Sequence, residues 1–263
     1  MCNCMLILLS PAKTLDYETL PITNKATQPR FAGRSSELVK ILKELDSKKI
    51  GELMHISSKL AELNYDRYQN YQTNHNRDNS RQAILAFTGD VYQGMELAEW
   101  SQNDFDTAQS QIRILSGLYG VLRPLDQIQP HRLEMGTKLR TTHGKNLYEF
   151  WGSAITEQLN EDIQHSGSDF VVNLASNEYF SSVKRDEFKG ELITPVFKDE
   201  KNGTYKVISF YAKKARGMMA DFIVRNRIDS IEALKAFDKS GYHFNADASE
   251  GNTLTFLRSA VNQ

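Results

Sequence analysis

Lysine and arginine side chains are grouped in two segments of this chain, and the grouping indicates recognition of phosphate. Six of them lie between Arg113 and Lys145 beside two acids, and six lie between Tyr205 and Arg227 beside one acid. The whole chain has a formal net charge of −1, so the remaining residues are acidic on balance. A phosphate-binding face needs such an uneven distribution. The alternative is that both segments are solvated surfaces whose charges point in many directions.

The stretch SFYAKKARGMMADFI, residues 209–223, combines positive charge with a helical pattern. Its apolar residues fall on one face of a helix, and Lys213, Lys214 and Arg216 stand at the beginning of that helix. Each cation there opposes the backbone dipole at a cost of about 0.3–1 kcal/mol. A bound phosphate would offset this cost, because a helix N-terminus attracts anions. We therefore expect these three side chains to contact phosphate.

Polar side chains also follow two predicted buried strands, over residues 5–9 and 169–175. In α/β proteins, ligands collect in the loops beyond the carboxyl ends of strands. Five residues could thus converge on a pocket for a nucleotide, a nucleobase or another small phosphorylated molecule. A solvated lysine and an ordinary helix cap would explain the same residues without chemistry. The five residues are Ser10, Lys13, Asn173, Glu178 and Lys213.

The stretch ILSGLYGVL resembles the hairpin of a helix-hairpin-helix element. A helix predicted over residues 104–115 would stop at Gly117, and a second would begin at Val121 after Gly120. Such hairpins present backbone N–H groups to phosphate without contacting base edges, because glycine permits a tight turn and close approach. The alternative is a simple helix C-cap followed by a turn.

Two arginines near prolines, Arg123 and Arg132, could also contact a ligand. Asp126 and Glu134 are close enough in sequence to pair with them, which would make this stretch a structural ion network instead. The sequence leaves both interpretations open.

The elements that must position these residues alternate along the chain. Helices are predicted over 34–46, 58–71, 91–100, 104–115 and 147–163, and strands over 5–9, 82–87, 169–175 and 252–258. Residues 191–212 predict a β-hairpin that turns at Asn202-Gly203, the pair that best accepts positive φ. There is no linker, repeat or low-complexity tract, so we expect a single α/β domain over residues 1–263.

Several functional classes lose support from the sequence. No apolar run reaches the roughly 18–20 residues of a membrane span, and the N-terminus lacks a signal-peptide pattern, so a cytoplasmic location without membrane contact is expected. No two histidines have helical spacing, and the usual nucleotide-binding and nucleophile motifs are absent. Cys2 and Cys4 are weak support for a metal site. We expect no cofactor and no bound metal.

Five long stretches and the spacing between them resemble the YaaA family of peroxide-stress proteins. The similarity extends from Met5 to about Arg258, and members of the family usually begin at the residue that matches Met5. Residues 1–4 therefore look like an N-terminal extension, and His131 stands where the family commonly has tyrosine. The stretches are MLILLSPAKTLDY, QAILAFTGDVYQGM, LSGLYGVLRPLDQIQPHRLEMG, NLASNEYFSSVK and PVFKDEKNGTYKVISFYAKKARGMMADFI.

The resemblance implies a cytoplasmic bacterial protein that limits the damage done by unincorporated iron during peroxide stress. It also implies an α/β domain of unusual topology, with a helix-hairpin-helix-like element at Leu115–Val121 and a basic cleft that binds DNA with weak sequence preference. An enzyme acting in the strand-end pocket is the alternative, and an iron-sequestering protein is a third possibility. The expected phosphate-binding residues are Lys13, Gly117, Gly120, Arg123, Arg132, Lys213, Lys214 and Arg216.

Overall fold

A strand of four buried apolar residues, Leu6–Leu9, lies inside a mostly parallel sheet. The structure is a computed structural model that describes residues 5–167 and 170–262. Cys2, Cys4 and the expected extension at residues 1–4 lie outside the described residues. The strands are β1 (Leu6–Leu9), β2 (Arg81–Gln82), β3 (Ile112–Ser116), β4 (Gly120–Leu122), β5 (Gln127–Ile128), β6 (Phe170–Asn173), β7 (Glu191–Lys201), β8 (Thr204–Lys206), β9 (Tyr242–Phe244) and β10 (Thr253–Arg258).

Helices surround this sheet, and short 3₁₀ turns occupy Leu97–Glu99, Lys239–Gly241 and Ala260–Asn262. Both α6 (Gln102–Gln111) and α8 (Ala154–Ser166) contact β1, which explains why this strand is apolar throughout rather than alternating. The helices are α1 (Ala32–Lys43), α2 (Ser47–Met54), α3 (Ser58–Gln69), α4 (Ala83–Ala86), α5 (Asp90–Gln93), α6 (Gln102–Gln111), α7 (Leu147–Trp151), α8 (Ala154–Ser166), α9 (Asn177–Phe180), α10 (Ser209–Asn226) and α11 (Ile231–Lys235).

The strand order is β4-β3-β1-β6-β7-β10-β9, with β8 paired to β7, and β2 and β5 form a separate small ladder. The five strands from β3 to β10 in this order run parallel to their neighbours, whereas β4, β8 and β9 are antiparallel. Leu8 is paired with Asn173, so β1 and β6 end at the same edge of the sheet. The expected α/β class and single domain are confirmed.

Much of the local prediction is confirmed, since α1, α3, β1, β6 and β10 occupy predicted positions. Asp169, at the start of the predicted third strand, lies outside the described residues. Asn202 and Gly203 have φ of 54° and 74°, as a tight turn between β7 and β8 requires. These elements were predictable because the spacing of their apolar residues and the residue types at their turns indicate the same local structure.

Three other predictions are wrong in a physically informative way. The helix predicted over 104–115 ends at Gln111, because residues 112–116 enter the sheet as β3 beside β1. The strand predicted at 82–87 is mostly the short helix α4. The helix predicted over 147–163 is interrupted at Gly152, whose φ is 53°. Burial against the sheet therefore overrides local propensity at residues 112–116.

The prediction of a helix-hairpin-helix-like element at Leu115–Val121 is also wrong. These residues form the turn of the antiparallel β3–β4 pair, in which Ser116 faces Gly120. Gly117 is packed so closely that an added Cβ would overlap the carbonyl oxygen of Leu133, and Gly120 has a φ of 69°. Both glycines are buried, so their backbone is used for packing and cannot meet DNA phosphates.

A short connection between two packed helices does occur elsewhere, at residues 55–57 between α2 and α3. His55 adopts a left-handed conformation with φ of 53°, and the Ile56 amide donates to the Gly51 carbonyl at 3.1 Å. Gly51 lies close to Ala61, where an added Cβ would be 3.3 Å from the Ala61 Cβ. The chain thus forms a tight helical hairpin at residues 55–57, about sixty residues before Leu115–Val121, where the glycines had predicted one. Among the described residues, no helix is long and apolar enough to cross a membrane.

Candidate functional site

The loops after β1 and β6 meet through two serines. The Ser10 hydroxyl oxygen accepts a hydrogen bond from the Ser176 backbone amide at 2.8 Å and donates to the Ser176 hydroxyl at 3.3 Å. The two strands are paired in parallel and end together, which brings these loops into contact. Asn173, the last residue of β6, is buried, and its side-chain oxygen accepts from the Ala175 amide at 3.1 Å. Asn173 therefore shapes the turn that positions Ser176.

Lys13, in the loop after β1, reaches a carboxylate from a distant segment. Its ammonium lies 2.6 Å from one oxygen of Glu134, and Arg132 lies 2.9 Å from the other. Burial alone would raise the pKa of Glu134, but the hydrogen bonds and charges of Lys13 and Arg132 lower it overall. Lys13, Arg132 and Glu134 therefore form a charged network, in which the carboxylate of Glu134 neutralises part of the positive charge of the two cations.

Glu178, in the first turn of α9, joins the same cluster. Its carboxylate accepts from the Gly136 amide at 3.0 Å, two residues beyond Glu134. The Tyr148 hydroxyl donates to the Glu178 carbonyl at 2.9 Å. A cavity of about 250 Å³ lies beside these groups and is bordered by the helical hairpin at His55. Ser10, Lys13, Asn173 and Glu178 hence belong to one end of the sheet.

Lys213 is connected to this end of the sheet through α5. Its ammonium lies 3.8 Å from Asp90, the first residue of α5, and the preceding Gly89 packs against Ala12 in the loop after β1. The Tyr92 hydroxyl donates to the Ser10 carbonyl at 3.0 Å. Four residues of the predicted pocket lie at this end of the sheet, and Lys213 is linked to it through Asp90. We call these five residues the strand-end cluster: Ser10, Lys13, Asn173, Glu178 and Lys213.

Sequence reasoning missed Asp90 and Tyr92, which connect two parts of the strand-end cluster. The only local signal was the position of Thr88-Gly89-Asp90 after an apolar run, which is typical of a loop that begins a helix. Nothing in that stretch identifies Lys213 or Ser10 as a partner, because both are about 80 residues or more away.

Arg123 does not belong to the strand-end cluster, and its predicted role in phosphate binding needs correction. Its backbone amide and guanidinium bind both oxygens of Asp126, which is fully buried, at 2.8 to 3.2 Å. Arg132 is likewise paired with Glu134. The structural ion network that the sequence left open is therefore what these two arginines form.

The expected basic cleft, lined by both cation-rich segments, is not confirmed. Arg113, in the first segment, lies 2.6 Å from Asp162 and is buried. Together with the pairs of Arg123 and Arg132, this ion pair engages three of the six cations of the segment. The other three are exposed and have no ion pair among the described residues: Lys138, Arg140 and Lys145. The amount of positive charge that can meet a ligand therefore depends on which arginines pair with carboxylates, and some of these carboxylates are distant in sequence.

The second segment is different, and its first part together with the turn before it is called the basic arm, residues 201–214. It comprises the Asn202-Gly203 turn, β8 and the start of α10, and it contains no acid. Within the described residues, Lys213 alone of its lysines has an ion pair, at the long distance of 3.8 Å. The exposed lysines and aromatic residues of the basic arm are Lys201, Tyr205, Lys206, Phe210, Lys213 and Lys214.

The dipole interpretation of this helix is wrong. Helix α10 begins at Ser209, so Lys213 and Lys214 lie beyond the first turn, which holds Phe210, Tyr211 and Ala212. Arg216 is half-buried, and desolvation lowers its pKa. The exposed lysines lie along the side of the helix rather than at its end.

Metal-binding residue types are not grouped in the part of the chain that the structure describes. No set of three or more histidine, cysteine, aspartate or glutamate side chains there could hold a metal ion.

Comparison with known proteins gives a consistent result over nearly the whole length. The family description "Peroxide stress protein YaaA" matches residues 5–248. A UPF0246 protein of Aliivibrio fischeri strain MJ11 is 53% identical over 259 residues, covering 98% of this chain and 100% of the relative. A UPF0246 protein of Aliivibrio fischeri strain ES114 is 52% identical over the same length and coverage.

Proposed function

This chain belongs to the YaaA family of peroxide stress proteins, and we propose that it serves the peroxide stress response by binding DNA through the basic arm. The observation that supports DNA binding is the arm itself, with four exposed lysines and no acid over residues 201–214. Unpaired exposed lysines release condensed counterions when they meet phosphates, and this release supplies sequence-independent affinity. We expect weak sequence preference, since phosphate contacts carry no base information.

Two aromatic side chains favour a nucleic acid over other polyanions. Tyr205 is 43% exposed and Phe210 is 52% exposed, and both lie between the lysines of the basic arm. Exposed aromatic rings beside cations provide stacking surfaces for unpaired bases, worth about 1–3 kcal/mol per base. The arm would therefore bind frayed or single-stranded DNA as well as duplex.

Bound protein would limit oxidative damage linked to free intracellular iron by covering the DNA that iron-generated oxidants attack. This mechanism requires no iron-binding site. It also assigns the protein to the bacterial cytoplasm, where the DNA is.

The test is a titration of fluorescent DNA with the full chain at several salt concentrations. Wild-type protein should bind two unrelated duplexes with similar affinity, and the affinity should fall as salt rises. Lys206→Glu with Lys214→Glu should weaken binding at least tenfold and lower the salt slope by about 1.8, the value for two lost phosphate contacts.

A matched control reverses the same amount of charge outside the arm. Lys40→Glu with Lys189→Glu changes two exposed lysines on α1 and before β7, so the net charge of the protein is identical in the two variants. The control should bind DNA as wild type does. Equal losses in both variants would contradict a role for the arm, as would binding that salt does not affect.

The strand-end cluster supports a second candidate function, which is enzymatic action on a nucleotide, nucleobase or other phosphorylated small molecule. The observation that favours it is the cavity of about 250 Å³ beside Glu134, Glu178 and Lys138. Two carboxylates and an ammonium around one cavity are a suitable set for general acid–base catalysis. Lys213 belongs both to this cluster and to the basic arm, but it does not border the cavity.

Product analysis separates this candidate from simple binding. The full chain would be incubated with nucleoside phosphates and with DNA containing oxidised bases, and released base or phosphate would be measured by chromatography. Glu178→Gln should abolish turnover while leaving DNA affinity unchanged, whereas Glu44→Gln on an exposed surface should have no effect. Absence of any product from the wild-type protein would reject the enzymatic candidate and leave DNA binding untouched.

A further inference from the structure

A cavity that is bordered by no residue of the strand-end cluster is unexplained by DNA binding. Its volume is about 640 Å³, and it lies between the loop 17–24, helix α3, the segment 77–82 and the segment 127–130. Pockets of roughly 300–1,000 Å³ are the size that binds small organic ligands. The cavity is therefore large enough for a metabolite.

One wall of the cavity is held rigid by side-chain amides. The Asn79 amide donates to the Gln72 side-chain oxygen at 3.0 Å, and the Gln129 amide donates to the Gln72 carbonyl at 2.6 Å. The Gln129 oxygen in turn accepts from the Gln72 backbone amide at 3.0 Å. These bonds fix the wall before any ligand arrives, which lowers the cost of binding.

Three arginines border the cavity, and they differ in what they contact. Arg77 is exposed, and its guanidinium donates to the Asn24 carbonyl at 3.1 Å. Arg81 is buried and donates to the carbonyls of Leu85 and Thr19, so its guanidinium is committed to the protein. Arg67, on α3, is half-buried, and no ion pair or hydrogen bond engages its side chain among the described residues. Desolvation lowers the pKa of Arg67, as expected for a cation that has lost water without gaining a carboxylate. A half-buried, unpaired guanidinium attracts an oxyanion.

The acidic residues of this cavity are at its rim. Glu18, Asp66 and Asp78 are all exposed, so their charges are screened by water more than that of Arg67. Apolar surface is also present, because Tyr17 and the 43%-exposed Leu63 border the same space. The Tyr17 hydroxyl is already used, since it donates to the Ile128 carbonyl at 2.7 Å.

We propose that this cavity binds a small organic anion, with its carboxylate or phosphate on the Arg67 guanidinium and its apolar body against Tyr17 and Leu63. The site is separate from the basic arm and does not depend on DNA binding. The planar guanidinium can donate two parallel hydrogen bonds to a carboxylate or to a phosphate, so both classes of anion can bind.

Binding would be tested with the full chain and three simple probes, benzoate, phenyl phosphate and the neutral benzamide. The Nε–Hε signal of Arg67 in a nitrogen–proton correlation spectrum, assigned by its loss in Arg67→Gln, is the readout. At least one of the two anions should shift this signal with a dissociation constant below about 10 mM, and benzamide should not. Comparison of benzoate with phenyl phosphate decides which anion is preferred.

Variants on one helix provide matched controls. Leu63→Glu places a carboxylate four residues before Arg67, where it can pair with the guanidinium internally, so anion affinity should fall at least tenfold. Leu60→Glu adds the same charge to α3 outside the cavity and should bind as wild type does. Arg67→Gln has no Arg67 signal, so its binding would be followed by the backbone amide signal of Gln72 in the cavity wall, and its anion affinity should also fall at least tenfold. Thermal melting would verify that each variant is folded. Failure of both anions to bind, or unchanged affinity in Arg67→Gln, would overturn the proposal.

Discussion

Individual carboxylates determine how much of the positive charge of this chain can reach a ligand. Asp162 accepts from Arg30 at 2.8 Å and from Arg113 at 2.6 Å. Asp199, which is fully buried, binds Arg258 at 2.6 Å and accepts from the Tyr242 hydroxyl. Pairs of this kind keep a buried guanidinium stable, and loss of one partner typically costs about 3–5 kcal/mol. Such arginines serve the fold and are unavailable to phosphate.

A buried histidine gives a prediction at the same scale. Burial lowers the pKa of His131 from 6.5 to about 4, although its ring nitrogen bonds to the Gln129 carbonyl at 2.8 Å. As pH falls from 6.5 to 4, the unfolded chain takes up a proton that the folded protein refuses, so folding stability falls by up to about 3 kcal/mol from this group. At neutral pH that stability is fully present.

We predict that His131→Phe flattens this dependence. Phenylalanine keeps the edge-on contact with Tyr119, whose ring centre is 5.1 Å away, but cannot be protonated. Urea unfolding at a series of pH values should show a smaller loss of stability between pH 6.5 and 4 than in wild type. The exposed His243→Phe should retain the wild-type slope, and an equal slope in both variants would contradict the assignment to His131.

At the scale of elements, the position of α10 depends on backbone contact with α5. An added Cβ at Gly217 would overlap the Val91 carbonyl oxygen, and one at Gly94 would overlap the Lys214 carbonyl oxygen. The two helices therefore meet without side chains between them. This contact places Lys213 within 3.8 Å of Asp90 and the Lys214 backbone against Gly94.

We predict that Gly217→Ala destabilises the protein by about 1–3 kcal/mol, because overpacking forces the two helices apart. The shift should also weaken DNA binding, since the basic arm includes the first turns of α10. Chemical denaturation and DNA titration would measure the two effects. Gly33→Ala in α1 is the control, because its Cβ would meet no atom within 4 Å and alanine favours the helix. A Gly217→Ala protein as stable as wild type would show that the helices can separate without cost.

At the scale of the whole molecule, a formal net charge of −1 gives no long-range attraction to DNA. The proposed association with DNA must then depend on where the unpaired lysines are, and the basic arm groups four exposed lysines on one hairpin and the start of one helix. The cavity beside Arg67 lies on different segments of the chain. One domain thus offers two chemically distinct surfaces.

The distribution of charge leads to a prediction in cells. In a bacterium that lacks its own member of the family, expression of this chain should restore survival in hydrogen peroxide. The variant with Lys206→Glu and Lys214→Glu should restore little, whereas Lys40→Glu with Lys189→Glu should protect as wild type does. Colony counts after peroxide exposure and an immunoblot for protein level would measure this. Full protection by the arm variant would separate the peroxide role from DNA binding by the arm.

The sequence by itself determined the elements whose signals are local. The apolar run of β1, the helical periods of α1 and α3 and the Asn202-Gly203 turn were all recognisable, because each depends on residues within one or two turns of chain. The charge asymmetry between segments was also visible in the sequence.

Only the tertiary structure decided which of those charges are free. Arg113 pairs with the carboxylate of Asp162, 49 residues away in sequence, and Lys13 pairs with Glu134 at the strand ends. The need for glycine at position 117 was also visible only in the tertiary structure, because an added Cβ there would overlap the Leu133 carbonyl oxygen. Partners so distant in sequence leave no local pattern, because their proximity is produced by the parallel order of β3, β1 and β6 and by the packing of loops at their shared edge.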